Sequence, residues 1–402
     1  MPAPLDEQPL PLLREVVEAL APIVRGPGSP GEAEAAEWIA ERLRGCGCQT
    51  SVEVEEFLDG YAAPMRDMAA AATLGALLGL TRRGRRVGAL LAGLAAAGMA
   101  EDTSNGPRFY RRLSGRQAQT QNVVATAGDP QAERTLVVLA HHDAAPTGFI
   151  FDDRLQSAFG ERFPGVLERI DTSLPLWRAA VGGPALAALG AARGRRGLSR
   201  AGLVGAAATT AIFADVARSP IVPGANDNLT AVAVLVALAE RLRAEPIEGV
   251  RVLLVSCGAE EVVQGGIHGF ARRHFGELPR ERTWFLALDT LGSPRLIMLE
   301  GEGAIVMEDY PDRSYRDLVA AAAARDGVLL RRGMRSRNST DAVIPMRAGY
   351  PTTCLTSMNR FKALTNYHRP TDTPENVDYR TVLAALQVTA ATARELAANP
   401  WL

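Results

Sequence analysis

Five short motifs in this chain carry residue types that bind metals or move protons. They are His141-His142-Asp143, Asp227 within Gly-Ala-Asn-Asp-Asn, Glu260-Glu261 after Gly-Ala, Asp289 closing Ala-Leu-Asp, and Tyr367-His368. Imidazoles and carboxylates are suited to zinc. Of the five histidines in the chain, three fall in these motifs. In His-x-Asp, one ring nitrogen can take a metal while the carboxylate orients the other. Asp227 precedes an apolar helix, where it, Asn226 or Asn228 would serve as a cap, but its two oxygens could also bridge two cations. Adjacent acids such as Glu260 and Glu261 repel unless something positive lies near them. That conflict resolves if one acid ligates metal and the other takes a proton from water. Asp289 ends an apolar strand, where an unpartnered charge is costly to bury. In extended chain His142 points away from His141, and His268 and His274, six apart, lie on different helix faces, so none of these three is assigned to metal.

The elements that must position these groups alternate in type. The periodicity predicts helices at Leu10–Val24 and Gly31–Arg44, with Ser29 as a cap, then strands at Gln49–Phe57, Gln121–Ala127 and Thr135–Ala140. Further along it predicts a helix at Leu229–Arg243, a strand at Val250–Cys257, a helix at Gly266–Phe275 and a strand at Thr283–Thr290. A helix at Ser314–Ala324, a strand at Pro351–Met358 and a closing helix at Tyr379–Ala398 complete the series. Such alternation implies an α/β fold, a three-layer α/β/α arrangement around a mostly parallel mixed sheet. Strand ends are where such folds collect their chemistry.

Two stretches break that rhythm, at about 59–117 and 149–220. Each holds two charge-free apolar runs, Met68–Thr81 with Val87–Ala100 and Ala179–Ala192 with Ala201–Ala214, every one 14 residues long. Arginines mark both breaks, at Arg82, Arg83, Arg85 and Arg86, and again at Arg193, Arg195, Arg196 and Arg200. The expectation is one catalytic domain spanning 1–402, interrupted by two apolar helical hairpins. A 14-residue helix is about 21 Å long, short of the ~30 Å hydrocarbon core of a bilayer. The runs are nonetheless apolar on every side, and Gly75 with Gly79 suits close helix packing. Arginine turns suit anionic headgroups. The reading is membrane contact, with a soluble helical subdomain or an oligomer interface as the alternative. Residues Asp6, Glu7, Arg14 and Glu15 are unlike a signal peptide. Hairpins dipping into the inner leaflet from a cytoplasmic catalytic domain accommodate both observations, and a soluble cytoplasmic enzyme is the alternative.

A formal net charge of −1 and 47% hydrophobic residues describe a globular protein with no global attraction to nucleic acid. Lys362 is the single lysine, the bias of a GC-rich, bacterial genome. The four cysteines, Cys46, Cys48, Cys257 and Cys354, form no disulfide framework and read as reduced, buried thiols.

In order, H-x-D, G-A-x-D, A-E-E, L-D and Y-H-x-x-x-D-T resemble metallopeptidase family 28, the double-zinc aminopeptidases with related carboxypeptidases and glutaminyl cyclases. The resemblance covers roughly Val16–Phe57, Gln119–Thr147 and Val222 to the end, leaving both insertions outside. It implies two zinc ions, His141 and Asp289 ligating one, Glu261 and His368 the other, and Asp227 bridging both. Glu260 would be the general base, Asp143 would orient His141, and Tyr367 would help stabilise the oxyanion. The zincs would polarise the scissile carbonyl and activate a water. The implied activity is exopeptidase, an aminopeptidase acting on a peptide or amino-acyl amide. Family members often carry Ser-Asp-His where this chain has Thr340-Asp341-Ala342, so a role for that histidine is lost here. The intact Glu260-Glu261 pair favours hydrolysis over cyclisation. Two other classes fit parts of the pattern: a membrane-associated, non-catalytic scaffold on a hydrolase fold, and a single-metal amidohydrolase of a non-peptide amide.

Overall fold

The computed structural model describes residues 7–114 and 117–399, so Asp6 and positions 115–116 of the first insertion lie outside it. Among the described residues, nine strands form one sheet. They are β1 Gln49–Leu58, β2 Gln117–Gly128, β3 Thr135–His141, β4 Arg251–Cys257, β5 Thr283–Leu288, β6 Arg295–Glu302, β7 Glu308–Asp309, β8 Arg331–Ser336 and β9 Thr352–Met358. The order is β1-β2-β4-β3-β5-β9-β6-β7, with β8 paired to β6. The central strands β4, β3, β5 and β9 run parallel. The first pairings at the β1 end are antiparallel, as are those of β6 with β9 and β7. Uncharged, mostly apolar sequence explains β3 and β5, and β9 adds small hydroxyl residues; every residue of the three is buried, as expected of strands covered on both faces.

The helices are α1 Leu10–Leu20, α2 Pro30–Gly45, α3 Ala62–Gly79, α4 Arg85–Thr103, α5 Phe109–Ser114, α6 Arg154–Arg162 and α7 Pro164–Arg169. They continue with α8 Leu176–Arg193, α9 Arg196–Val216, α10 Thr230–Ala244, α11 Gly265–His274, α12 Arg313–Arg325, α13 Val343–Arg347 and α14 Tyr379–Ala398. Helices α1, α2, α10, α12 and α14 share one core with Leu136, Val138 and Leu254. Helices α11 and α13 share the other with Val137, Leu139 and Val255. Alternate residues of each strand thus serve opposite layers. Ser29 caps α2 by accepting the Glu32 N–H at 3.1 Å. Helix α1 stops at Leu20, short of the expected Val24, because Pro22 has no N–H to extend it. Strands β6, β7 and β8 were not expected. In β8, Arg331, Arg332 and Arg335 hide any strand pattern, and pairing with β6 forms it through two register shifts.

Three of the apolar runs lie within α4, α8 and α9, and Met68–Thr81 lies in α3 up to Gly79. Helix α3 packs on α4, α8 and α9, and α4 packs on α8, so the two pairs make a single four-helix unit. Small residues permit this closeness. A Cβ on Gly75 would lie 2.8 Å from the Gly88 carbonyl oxygen, and one on Gly202 would lie 2.2 Å from the Ala187 nitrogen. The Arg85 Nε donates to the Ala191 carbonyl at 3.1 Å, which puts both arginine turns at the same end. The bundle's outer surface is apolar, with Leu90 64% and Val204 71% exposed. Among the described residues, α9 is the one helix long and apolar enough to cross a membrane. The bundle core also includes Phe57, Ala259 and Val262, so it packs against the turn that carries Glu260 and Glu261.

Candidate metal centre

Parallel strands deliver the polar groups to one edge of the sheet. Strand β3 ends on His141, β4 ends three residues before Glu260, and β5 ends immediately before Asp289. Asp227 sits in the irregular turn Ala225–Leu229 ahead of α10, and no side chain caps that helix. Neighbouring side chains clamp this turn. Asp372 accepts the backbone N–H of Asn226 at 2.7 Å and of Asp227 at 3.1 Å. Asn228 donates to the Leu288 carbonyl and accepts the Thr290 N–H. Five non-glycine residues at the site take positive φ: Ala259, Val263, Gln264, Thr290 and His368. Such backbone is strained for β-branched Val263 above all, and it clusters where the side chains must be aimed.

The structure brings His141, Asp143, Asp227, Glu260, Glu261, Asp289 and His368 together. The Oδ1 of Asp227 lies 3.3 Å from His141 Nε2, and its Oδ2 lies 3.2 Å from His368 Nε2. Glu261 Oε1 lies 3.2 Å from the same His368 nitrogen. Three overlapping groups result among the described residues, His141-Asp227-Asp289, Asp227-Glu261-His368 and His141-Glu260-Glu261, each with one ligand atom per residue within 4.8 Å of the others. Glu260 Oε2 stands 3.9 Å from His141 Nε2, while its Oε1 accepts a hydrogen bond from Gln264 Nε2 at 2.7 Å. Asp143 faces His141 Nδ1 at 3.3 Å and accepts the backbone N–H of both Glu260 and Glu261 at 3.0 Å. His142 turns away to Ser256 Oγ at 2.9 Å. His268 and His274 lie elsewhere, by Arg108 and by Glu53.

Electrostatics test whether a metal fits. Burial pushes Glu260 well above the ordinary carboxylate range, with Asp341, Glu261 and Asp289 adding to it against His141. Burial and then Asp227 raise Asp289. Burial by itself would depress His368, yet Glu261 and Asp227 hold it up at about 10. His141 is likewise raised, its burial outweighed by Asp143, Asp227 and Glu260. The carboxylates are crowded and each stabilises positive charge. His368 Nε2 and Glu261 Oε1 are buried and face each other without a hydrogen-bond partner. Two lone pairs aimed at one point suit a divalent cation, and the mixed nitrogen and oxygen donors suit zinc.

Sequence reasoning missed several supports. Gln264 holds Glu260, Thr290 Oγ1 donates to Asp289 at 2.6 Å, and Glu32 accepts the Ala259 N–H at 2.7 Å. Asp372 had a signal, the Asp-Thr that follows Tyr-His, whereas Gln264, Thr290 and Glu32 had none. Asp341, in the segment that departs from the family pattern, is buried with both carboxylate oxygens unpartnered. Burial lifts it to about 7 against the pull of His141. Another tie runs from the bundle: Asp102 of α4 pairs with buried Arg111 of α5 at 2.6 Å, and Arg111 donates to the Val262 carbonyl at 3.0 Å.

Residues 209–393 match peptidase family M28. That span contains Asp227, Glu260, Glu261, Asp289 and His368, and it leaves out His141, Asp143 and helices α3, α4 and α8. The whole fold is similar to an aminopeptidase from Aneurinibacillus sp. strain AM-1, with 15% identity and a TM-score of 0.56 over 95% of this chain and 92% of that one. It is similar to a zinc aminopeptidase from Bacillus subtilis at 13% identity and a TM-score of 0.54, covering 95% and 94% of the two chains. A Bacteroides thetaiotaomicron glutaminyl cyclase reaches a TM-score of 0.57 at 12% identity, covering 98% and 99%. Among curated proteins, none matches the sequence. The M28 match and the zinc-type donor set together support a zinc-dependent hydrolase.

Proposed function

We propose that this protein is a zinc-dependent exopeptidase of the aminopeptidase kind, acting on peptides or amino-acyl amides. Its residues would hold two zinc ions, His141 and Asp289 on one, Glu261 and His368 on the other, with Asp227 between them. The observation that carries this reading is Asp227, whose two oxygens face two different histidines at 3.3 and 3.2 Å. Zinc bound there supplies Lewis acidity toward a carbonyl and toward water. Glu260 is the general base. Gln264 occupies its Oε1, which leaves Oε2 free to take a proton from water and pass it to the leaving amine. Asp143 fixes the turn carrying Glu260 and orients His141. Tyr367 stacks on the His368 ring at 3.8 Å and lines the same cavity, which supports a place beside the reacting carbonyl. The apolar bundle surface and the shared arginine end support contact with a membrane.

Metal analysis of the purified protein is expected to find two zincs per chain, with hydrolysis of leucine p-nitroanilide. Glu260→Gln should keep both zincs and lose activity by about 10²–10⁴-fold. Inactivity of the zinc-loaded protein on a broad panel of peptides and amides would overturn the proposal. One zinc, with full activity surviving Asp289→Asn, would favour a single-metal amidohydrolase. Cyclisation of N-terminal glutaminyl peptides without hydrolysis would assign the site to the cyclase reaction.

A further inference from the structure

A cavity of about 330 Å³ leads away from Glu260, Glu261 and His368 into the bundle. Farther out, α8 and α9 touch: a Cβ on Gly183 would lie 2.5 Å from the Gly205 carbonyl carbon. Between that crossing and the catalytic layer the helices stay linked, Thr209 Oγ1 donating to the Ala180 carbonyl at 3.3 Å, and both line the cavity. Trp177 and Phe213 stack there at 5.8 Å, and the Tyr61 ring meets both edge-on at 6.3 Å. Leu176, Ala180 and Ile212 continue the wall. The charged groups that line this space are all at its metal end. Away from the carboxylates it reaches Ala179 and Ala208, exposed small residues of α8 and α9, with exposed Arg178 beside the first. A pocket for an ordinary side chain would end blind. This one is bordered by exposed small residues, with no bulk to stop a chain.

We propose that the cavity lined by α8 and α9 is a binding site for an unbranched aliphatic chain, and that the substrate is an amide bearing such a chain. The chain lies along Trp177, Phe213 and Ile212 while the scissile carbonyl sits at Glu260. Water adds to the carbonyl carbon, the C–N bond breaks, and the proton taken by Glu260 leaves with the amine. The chemical half of this proposal rests on the hydrolase reading above; the chain site does not. Its walls come from the inserted helices, so it would distinguish this enzyme from relatives without them.

The test pairs binding with kinetics. Metal-free protein is titrated with 12-bromododecanamide, whose bromine quenches tryptophan fluorescence on contact. Saturable quenching that disappears in Trp177→Phe is the expected result. On zinc-loaded protein, kcat/KM for aminoacyl p-nitroanilides with straight side chains of increasing length should rise roughly fourfold per methylene. Ala208→Phe should weaken quenching and flatten that series. Ala179→Phe, from the opposite wall, should do the same, so that misfolding of one variant does not decide the matter. Absence of saturable quenching, or quenching undiminished in both phenylalanine variants, would overturn the proposal. If quenching behaves as expected while no amide is cleaved, the chain site stands and the hydrolase reading falls.

Discussion

Asp143 shows how one carboxylate can organise several others. Its oxygens hold the backbone of Glu260 and Glu261 while facing His141, so one side chain sets the position of three. The residues that the structure gathers at the candidate site were legible because their types are constrained: zinc takes few donor kinds, and strand ends are where a parallel sheet exposes them. Gln264 and Thr290 were not legible. Their usefulness depends on left-handed backbone at those same positions, which residue type does not announce. Glu302 shows a second kind of hidden group. Its Oε2 accepts the Thr340 N–H at 2.7 Å and its Oε1 accepts the Tyr310 hydroxyl at 3.0 Å. Burial pushes its carboxyl from 4.5 up to about 8. The folded state therefore holds this proton more tightly than the unfolded chain does. The stability it contributes is complete below the unfolded value and is lost as pH rises through about 8. Calorimetry of the zinc-loaded protein from pH 5 to 8 should show wild type losing on the order of a few kcal/mol that Glu302→Gln does not lose. Parallel curves for the two proteins would refute this.

At the scale of elements, the strands and helices around the site were readable from periodicity, β3 and α14 nearly to the residue. The strands β6, β7 and β8 at one end of the sheet were not. Strand β8 owes its conformation to β6 and not to its own arginine-rich sequence. The apolar runs were readable as two helical hairpins, and α3 packs on α4 and α8 on α9, but the packing of one hairpin on the other was not readable, because any uncharged face could pack against any other. Small residues decided the pairing. Gly202 lies so close to the Ala187 backbone that an added Cβ would fall 2.2 Å from its nitrogen. Gly202→Val should force α8 from α9 and destabilise the fold by about 1–3 kcal/mol. Denaturant unfolding would show this as a lower midpoint at unchanged slope. An unchanged midpoint would mean that the helices are not so tightly apposed.

For the whole molecule, the bundle joins two properties that the catalytic layer lacks. Its outer surface is apolar, with Leu90, Leu94 and Val204 all more than half exposed, and both arginine turns share one end. Apolar surface beside concentrated positive charge suits an anionic bilayer. The protein should sediment with vesicles containing phosphatidylglycerol and much less with pure phosphatidylcholine. Replacing Arg82, Arg83, Arg193 and Arg195 with Gln should weaken this binding by about 1 kcal/mol per arginine, as should high salt. Equal binding to both lipids would remove the electrostatic part, and no binding to either would remove the membrane reading. Taken alone, the sequence determined the donor set, the alternating elements around it and the presence of two apolar insertions. Those are matters of residue type and local period, which the chain carries wherever it folds. Tertiary structure decided that two insertions separated in the chain by residues 118–148 become one bundle, and that this bundle lines the cavity beside Glu260. Such contacts depend on shape and long-range packing, which no short stretch of sequence encodes.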